Sequence, residues 1–316
     1  VIVRFFLLSY NMRVNKKKEI KEMKKRLLTA VFAGIMAVVS AFGLTACSGS
    51  GNGGKGFDDS KKISVVVRED GSGTKSAFME IIGLKGKADK KGVIVGSSTA
   101  AVMVEIENNP YAIAYDSLGY VTEDVKKLKV EGVEPNIANI KDGSYKISRP
   151  LNIVYKAATV ESGLNKAYYE FLQSSDAQEI ISANGYVSVK DGATKYTVQS
   201  GLTGEINISG STSLEPLMVE LAKKFMTMQS GVKVVVGGGG SGTGYKNAEN
   251  GVSDFGMISE TFNSEKAPFC ESYTVAKDGI AVIVNKNNTT EDISLETLKN
   301  IYDLDSEEVT TWAQVK

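Results

Sequence analysis

Three times along this chain a short apolar run enters a turn of Ser, Thr and Gly that opens onto a helical pattern. The segments are VVV-REDGSGT-KSAF over residues 65–78, INISG-STS-LEPL over 206–217 and VVV-GGGGSGT-GYKN over 234–247. A strand feeding a helix through such a turn has a chemical use. The first turn of a helix leaves backbone N–H groups unpaired and carries partial positive charge. Glycine lets backbone approach a ligand closely, and Ser and Thr place hydroxyls beside the free amides. Each turn can therefore donate several hydrogen bonds to an anion. Ser and Thr are also ordinary N-caps, the plainer account of any one turn. Three such turns in one chain favour oxyanion binding.

The rest of the pattern is α/β. From Lys61 onward, strand and helix signals alternate. Strands are expected over 63–67, 112–115, 151–155, 206–209, 232–236, 255–258 and 279–284. Helices are expected over 75–82, 166–183, 214–226 and 295–302. In the third of these helices Leu214, Leu217, Met218, Leu221 and Phe225 share one face. Residues 191–204 are polar with three glycines and no periodicity, so they read as an internal linker. The run KGKADKK over 85–91 reads as a solvated loop.

Arg68 stands just ahead of the first Gly-Ser-Gly-Thr, where a guanidinium suits bidentate contact with a tetrahedral oxyanion. Asp70 is the expected partner that holds it. Glu260 follows the strand 255–258. A carboxylate beside an anion is unfavourable unless the anion has a proton to donate. Phosphate at neutral pH does and sulfate does not, so Glu260 in the site would favour phosphate. The plainer alternative is an exposed strand-end carboxylate.

Charge and cysteine content place the chain. The sequence of 316 residues holds 37 Lys+Arg, 37 Asp+Glu, two cysteines and no histidine. The missing histidine excludes a Ser-His-Asp triad and a histidine-bound metal. Two cysteines make no all-cysteine zinc site or disulfide framework. A net charge of zero gives no reason to expect a nucleic-acid partner. The zero is a cancellation, because residues 1–46 carry nine basic and two acidic residues, leaving 28 basic and 35 acidic in the remainder. Lys24-Lys25-Arg26, the apolar run 27–46 and Leu44-Thr45-Ala46-Cys47 have the form of a secretory signal (1–46) ending in a lipobox. Cys47 would then be a lipidated first residue, with residues 47–62 as a lipidated Cys and flexible tether. A transmembrane anchor is the alternative use of such an apolar run. Cys270 would be the one other thiol, read as a small buried hydrophobe.

Together these residues resemble the phosphate-binding proteins of Pst-type ABC transporters, which have the type II periplasmic-binding-protein fold. The resemblance spans nearly all of 61–316. It implies a two-lobed α/β fold with a hinge that closes on inorganic phosphate. Arg-x-Asp-Gly-Ser-Gly-Thr assigns Arg68, Ser72, Gly73 and Thr74 to the ligand, with Asp70 in support. Gly-Ser-Thr-Ser-x-x-Pro-Leu assigns Thr212 and Ser213, the Gly-Gly-Ser-Gly turn assigns Ser241, and the acidic acceptor falls on Glu260. Ala112-Ile113-Ala114-Tyr115, Arg149-Pro150-Leu151, Gly185-Tyr186-Val187 and Asp278-Gly279-Ile280 also match. The family implies a non-catalytic receptor without cofactor or metal, serving ABC permease subunits at the outer face of the cytoplasmic membrane. The segment order departs from the family, in which Gly-Ser-Thr-Ser comes first and the arginine motif follows. Here the halves are exchanged, as in a circular permutation with 191–204 joining the old ends. Lobe I would be continuous over 149–286. Lobe II would be split into 63–148 and 287–316, with crossovers near 148 and 287 as the hinge. Two half-domains of a longer tandem protein are the alternative.

Two other functions compete. Gly237-x-Gly239-x-x-Gly242 after a strand, with Glu260 about twenty residues on, imitates a dinucleotide-binding fingerprint. Ser72-Gly73-Thr74-Lys75 fits the Ser-x-x-Lys of penicillin-binding acyl-enzymes, although no Lys-Thr-Gly or Lys-Ser-Gly follows.

Overall fold

The computed structural model describes residues 56–315; the expected signal, Cys47 and most of the tether lie outside them. Strand β1 (Ser64–Arg68) leads through helix α1 (Gly73–Ile81), β2 (Ile94–Gly96) and α2 (Thr99–Asn108) to β3 (Ala112–Ser117). Short β4 (Lys126–Lys127), β5 (Lys129–Val130) and α3 (Ile137–Lys141) precede β6 (Ser148–Tyr155). Helices α4 (Gly163–Leu172) and α5 (Ser175–Ala183) follow, then β7 (Gly204–Gly210), α6 (Glu215–Met228) and β8 (Val232–Gly237). The chain ends with α7 (Ser241–Glu249), β9 (Phe255–Ile258), β10 (Glu271–Val284), β11 (Asp292–Ile293) and α8 (Leu295–Tyr302). No described helix is long and apolar enough to cross a membrane.

The α/β expectation holds. The sheet path runs β2-β1-β3-β10-β6-β9-β7-β8, with β4 beside β10 and a separate β5–β11 pair. β1 is parallel to β2 and β3, and β7 is parallel to β8 and β9, so each end of the sheet is a strand–helix–strand arrangement. The middle is antiparallel. β10 pairs with β6 from Glu271 to Gly279 and with β3 from Ile280 to Val284.

That change of partner divides the apolar core. Leu151, Phe171, Leu221, Phe225, Phe255 and Ala276 belong to one cluster, on the β6–β9–β7–β8 half. Phe78, Tyr115, Ile147, Ile280, Ile301 and Trp312 belong to another, on the β1–β3 half. The chain therefore passes between halves at two adjacent places, Ile147–Leu151 at the entry to β6 and Ala276–Ile280 in β10. The second lies inside a strand of 14 residues and earlier than the 287 expected from sequence. A strand of this length buried among strands reads in sequence only where its apolar run is unbroken, over 279–284.

Local chemistry explains two other differences. The helix expected over 166–183 is two helices. Ser174 leaves the helical path, and its hydroxyl accepts from the Ala177 amide at 3.3 Å, capping α5. No element is expected over 94–108, yet β2 and α2 lie there; Ser98 caps α2 and Val102, Met103 and Ile106 bury its inner face. Residues 191–203 form no helix or strand, but they are not a loose tether. Tyr196 is buried, its ring 5.7 Å from both Phe171 and Phe225. Its amide donates to Asp176 at 2.9 Å.

The start and end of the folded unit meet. Ile63 N donates to Thr310 O at 2.9 Å, Trp312 N to Lys61 O at 3.2 Å and Ala313 N to Asp59 O at 2.7 Å. The Phe57 ring stands edge-on to Trp312 at 5.8 Å.

Candidate functional site

The three Ser/Thr/Gly turns converge. Gly242 N donates to Gly71 O at 2.9 Å, tying the third turn to the first, and Gly240 N donates to Gly210 O at 2.9 Å, tying the third to the second. The first two turns also cap their own helix or bend. Ser72 accepts from Lys75 N at 3.3 Å, and Ser211 accepts from the amides of Ser213 and Leu214, both at 3.2 Å. Capping and ligand geometry thus coexist, because Ser211 does the capping in the second turn and leaves Thr212 and Ser213 to face the first.

Arg68 is at the centre and almost fully buried, although it carries a permanent charge. Glu69 grips it in bidentate fashion, from Nε at 2.8 Å and Nη2 at 2.9 Å. Nη2 also donates to Thr212 at 3.1 Å, and Nη1 to Thr99 at 3.4 Å. The expected partner, Asp70, does not touch it. Asp70 is 98% exposed and pairs with Lys75 at 2.8 Å. Glu69 leaves β1 on the side of the guanidinium, while Asp70 sits outward in the turn that opens α1.

Hydroxyls from both halves of the sheet close around this charge. Thr74 and Ser213 meet hydroxyl to hydroxyl at 2.9 Å. Thr99 lies 3.1 Å from the Thr212 hydroxyl and 3.4 Å from that of Ser213. Ser241 accepts from the Ser259 amide at 3.0 Å. Gly73 is required by close approach: a Cβ there would stand 2.4 Å from Ser241 Oγ and 2.8 Å from Ser259 Oγ. Arg68, Ser72, Gly73, Thr74, Thr212, Ser213 and Ser241 are therefore brought together. Thr99, Ser259 and Glu69 join them without having been expected. Ser97-Ser98-Thr99 is a fourth hydroxyl-rich turn, and it was the signal for Thr99. Ser259 had only its place beside Glu260.

Glu260 is buried, which rules out the exposed-carboxylate alternative. Its carboxylate pairs with Lys266 at 2.7 Å, and its carbonyl accepts from Asn152 at 2.8 Å. Behind Ser259 lies a buried ion pair at the crossing between halves. Arg149 meets Asp278 at 3.0 Å and donates to the Ser259 carbonyl at 3.0 Å, while Ser117 donates to Asp278 at 2.8 Å. Asp116, beside this pair, is wholly buried. Burial pushes its carboxyl up to about 7, against the pull of Arg68, the Ser117 amide and Arg149. Burial also raises Asp278, against Arg149.

The competing chemistries find no geometry. Lys75 is held by Asp70 at 2.8 Å and Asp89 at 2.7 Å. Burial lowers its ammonium, but the two carboxylates outweigh that and leave it raised, so it is no base for Ser72. The glycine turn 237–242 is packed on Gly71 and Gly210, where a pyrophosphate would have to lie. Cys270 is a buried thiol, pushed up to about 11 chiefly by burial.

Comparison with known proteins is consistent with this geometry. A family model described as a PBP superfamily domain matches residues 4–176 and 196–316. The phosphate-binding protein PstS 2 of Streptococcus pneumoniae serotype 4 is 33% identical over 299 residues, spanning 92% of this chain and 99% of its own. PstS of Bacillus subtilis is 33% identical over only 133 residues, 42% of this chain. The crystal structure of a phosphate-binding protein of a phosphate ABC transporter from S. pneumoniae TIGR4 superposes with a TM-score of 0.65 at 32% identity. That match covers 81% of this chain and all of that one.

Proposed function

The chain belongs to the PBP superfamily, among the phosphate-binding proteins of Pst-type ABC transporters, and from that premise we propose that it captures inorganic phosphate between two lobes. The observation that carries the reading is the buried Arg68, which donates to the hydroxyls of Thr99 and Thr212 from the two halves of the sheet, with the paired hydroxyls of Thr74 and Ser213 next to them. A guanidinium with several hydroxyls and free helix amides replaces the water shell of a tetrahedral oxyanion. The protein binds and releases, and hinge closure is the signal an ABC permease reads. No catalytic role is assigned.

Ligand contacts are assigned to Arg68, Ser72, Gly73, Thr74, Thr212, Ser213, Ser241 and Glu260, with Glu69 taking the supporting role first given to Asp70. Lobe I is proposed to begin at about 149. Its end is proposed within 279–286, and the change of pairing partner between Gly279 and Ile280 supports the earlier limit. Lobe II is then 63–148 with the remainder of the chain. We also place the protein at the outer face of the cytoplasmic membrane, exported by residues 1–46 and anchored through Cys47.

The order of the halves fits a circular permutation. The ends of the folded unit are hydrogen-bonded together, so joining them elsewhere needs no rearrangement. A match spanning 99% of the streptococcal relative means that it shares this order, whereas the B. subtilis relative aligns over less than half of the chain.

Calorimetric titration of the purified protein with phosphate, sulfate, molybdate and NAD tests the reading. Phosphate should bind with heat and NAD should not. Arg68→Ala should weaken phosphate at least about a hundredfold, since an anion buried beside an unpaired site loses a charge-assisted contact worth about 3 kcal/mol or more. Wild-type affinity in that variant would sink the site assignment. Acylation by a labelled β-lactam would revive the serine-enzyme alternative.

A further inference from the structure

Asp116 is an extra carboxyl group behind the phosphate site. It lies near the end of β3 and is wholly buried. One of its oxygens accepts from the Ser117 amide at 2.8 Å, and the other, Oδ2, has no partner among the described residues. The two buried arginines nearby are already matched, Arg68 by Glu69 and Arg149 by Asp278. A buried carboxylate without a counter-charge of its own is costly, and it avoids the cost by keeping its proton.

Its place on the sheet directs it at Arg68. The pairing of β1 with β3 matches Ser64 with Ala112 and Val65 with Ile113. The same offset, carried to the strand ends, sets Arg68 beside Asp116. Side chains two residues apart share a face, and Val66 and Ala114, two residues before each, lie in one apolar cluster. The Arg68 amide also donates to the Tyr115 hydroxyl at 3.3 Å. Burial is the largest influence on the Asp116 carboxyl. Among the charges, Arg68 pulls hardest toward the ionised form, ahead of Arg149 from β6, and Asp278 from β10 opposes it. The other titratable groups here are Tyr115, Tyr120 and Tyr186, and burial foremost keeps the hydroxyls of Tyr115 and Tyr186 neutral. Helix α2 buries Thr99, Val102, Met103 and Ile106, none of them ionisable.

We propose that Asp116 is an affinity-determining residue that acts through Arg68. Ionised, it competes with the bound anion for the same guanidinium charge. Protonated, it leaves that charge to the anion. Capture of phosphate therefore draws a proton from solvent onto Asp116, and release returns it. The carboxyl stands at about 7 without the anion, and a bound negative charge moves it further up. Asp116 then leaves affinity untouched well below pH 7 and weakens it above. This inference rests on the phosphate-binding reading.

The test is calorimetric titration of wild type and Asp116→Asn with phosphate at pH 5.5 and pH 8.5. Phosphate changes its own charge over this range, but identically for both proteins, so the ratio of the two affinities reports Asp116. The two should bind alike at pH 5.5. At pH 8.5 Asp116→Asn should bind about tenfold more tightly than wild type, the scale of one charge acting through a protein interior. At pH 7, wild type should take up more protons per phosphate than the variant, read from the heats in buffers of different ionisation enthalpy. A ratio that does not change with pH, or equal proton uptake, overturns the inference and leaves the phosphate reading standing. Failure of the wild type to bind phosphate overturns the reading itself, and the inference with it. Thermal melting shows whether the variant is folded. The wild type alone gives a second measurement, carbon NMR of labelled aspartate carboxyls. The one buried carboxyl that titrates near neutrality should titrate at higher pH when phosphate saturates the protein; an unmoved titration also overturns the inference.

Discussion

Gly73 shows how little room the site leaves. A methyl group there meets the Ser241 and Ser259 hydroxyls at distances real atoms do not tolerate. Gly73→Ala should lower phosphate affinity about tenfold or more and cost about 1–3 kcal/mol of stability, read by titration and denaturant unfolding. Asp116 offers a pH test. Burial raises its carboxyl from 3.8 to about 7, so the folded protein holds this proton more tightly than the unfolded chain does. Its contribution to stability is fully present below about 4 and is lost as pH rises through about 7. Asp116→Asn should therefore raise the melting temperature over wild type at pH 8 and do so less at pH 5. At this scale the sequence was a good guide to residue types and a poorer one to partners. Arg68, Thr74, Thr212 and Ser213 lie in motifs whose chemistry is local. Choosing Glu69 over Asp70 as the arginine's partner needed the direction in which each side chain leaves the turn. Lys266 pairs with Glu260 across a loop, which no spacing rule encodes.

Among the elements, amphipathic helices and unbroken apolar strands were legible, as α6, α8 and β9 show. β2 was not, because three residues carry no period, and missing it hid α2 and with it Thr99. The two-helix break at Ser174 was written in Ser174-Ser175-Asp176, a cap signal overridden by the apolar spacing on either side. The join at 191–204 looked like a linker because its main anchor, Tyr196, is a single aromatic in a mostly polar stretch. Tyr196→Ala should destabilise the protein by about 3 kcal/mol, as loss of a buried aromatic does, while leaving phosphate affinity of the folded protein unchanged. A mere tether would show no loss in thermal or denaturant unfolding.

For the whole molecule, the exchanged order was visible in the motifs, and the structure supplies a reason it is tolerated: Lys61, Ile63, Thr310 and Trp312 already lie in one hydrogen-bonded patch. A chain re-joined from 315 to 63 by a short linker, and opened within 191–204 away from Tyr196, should fold and bind phosphate within about tenfold of wild type. Loss of binding by this rearranged chain, in a form that still melts cooperatively, would count against the permutation. The crossing between halves also has a mechanical side. β6 and β10 traverse it side by side, Ser148 paired with Gly279 and Arg149 with Asp278, so the connection is a two-stranded ribbon riveted by an ion pair. Such a ribbon twists readily and resists bending in its own plane. The halves should part by a screw-like turn about the ribbon's axis, like a propeller blade changing pitch, and the mouth of the site should slide open rather than gape.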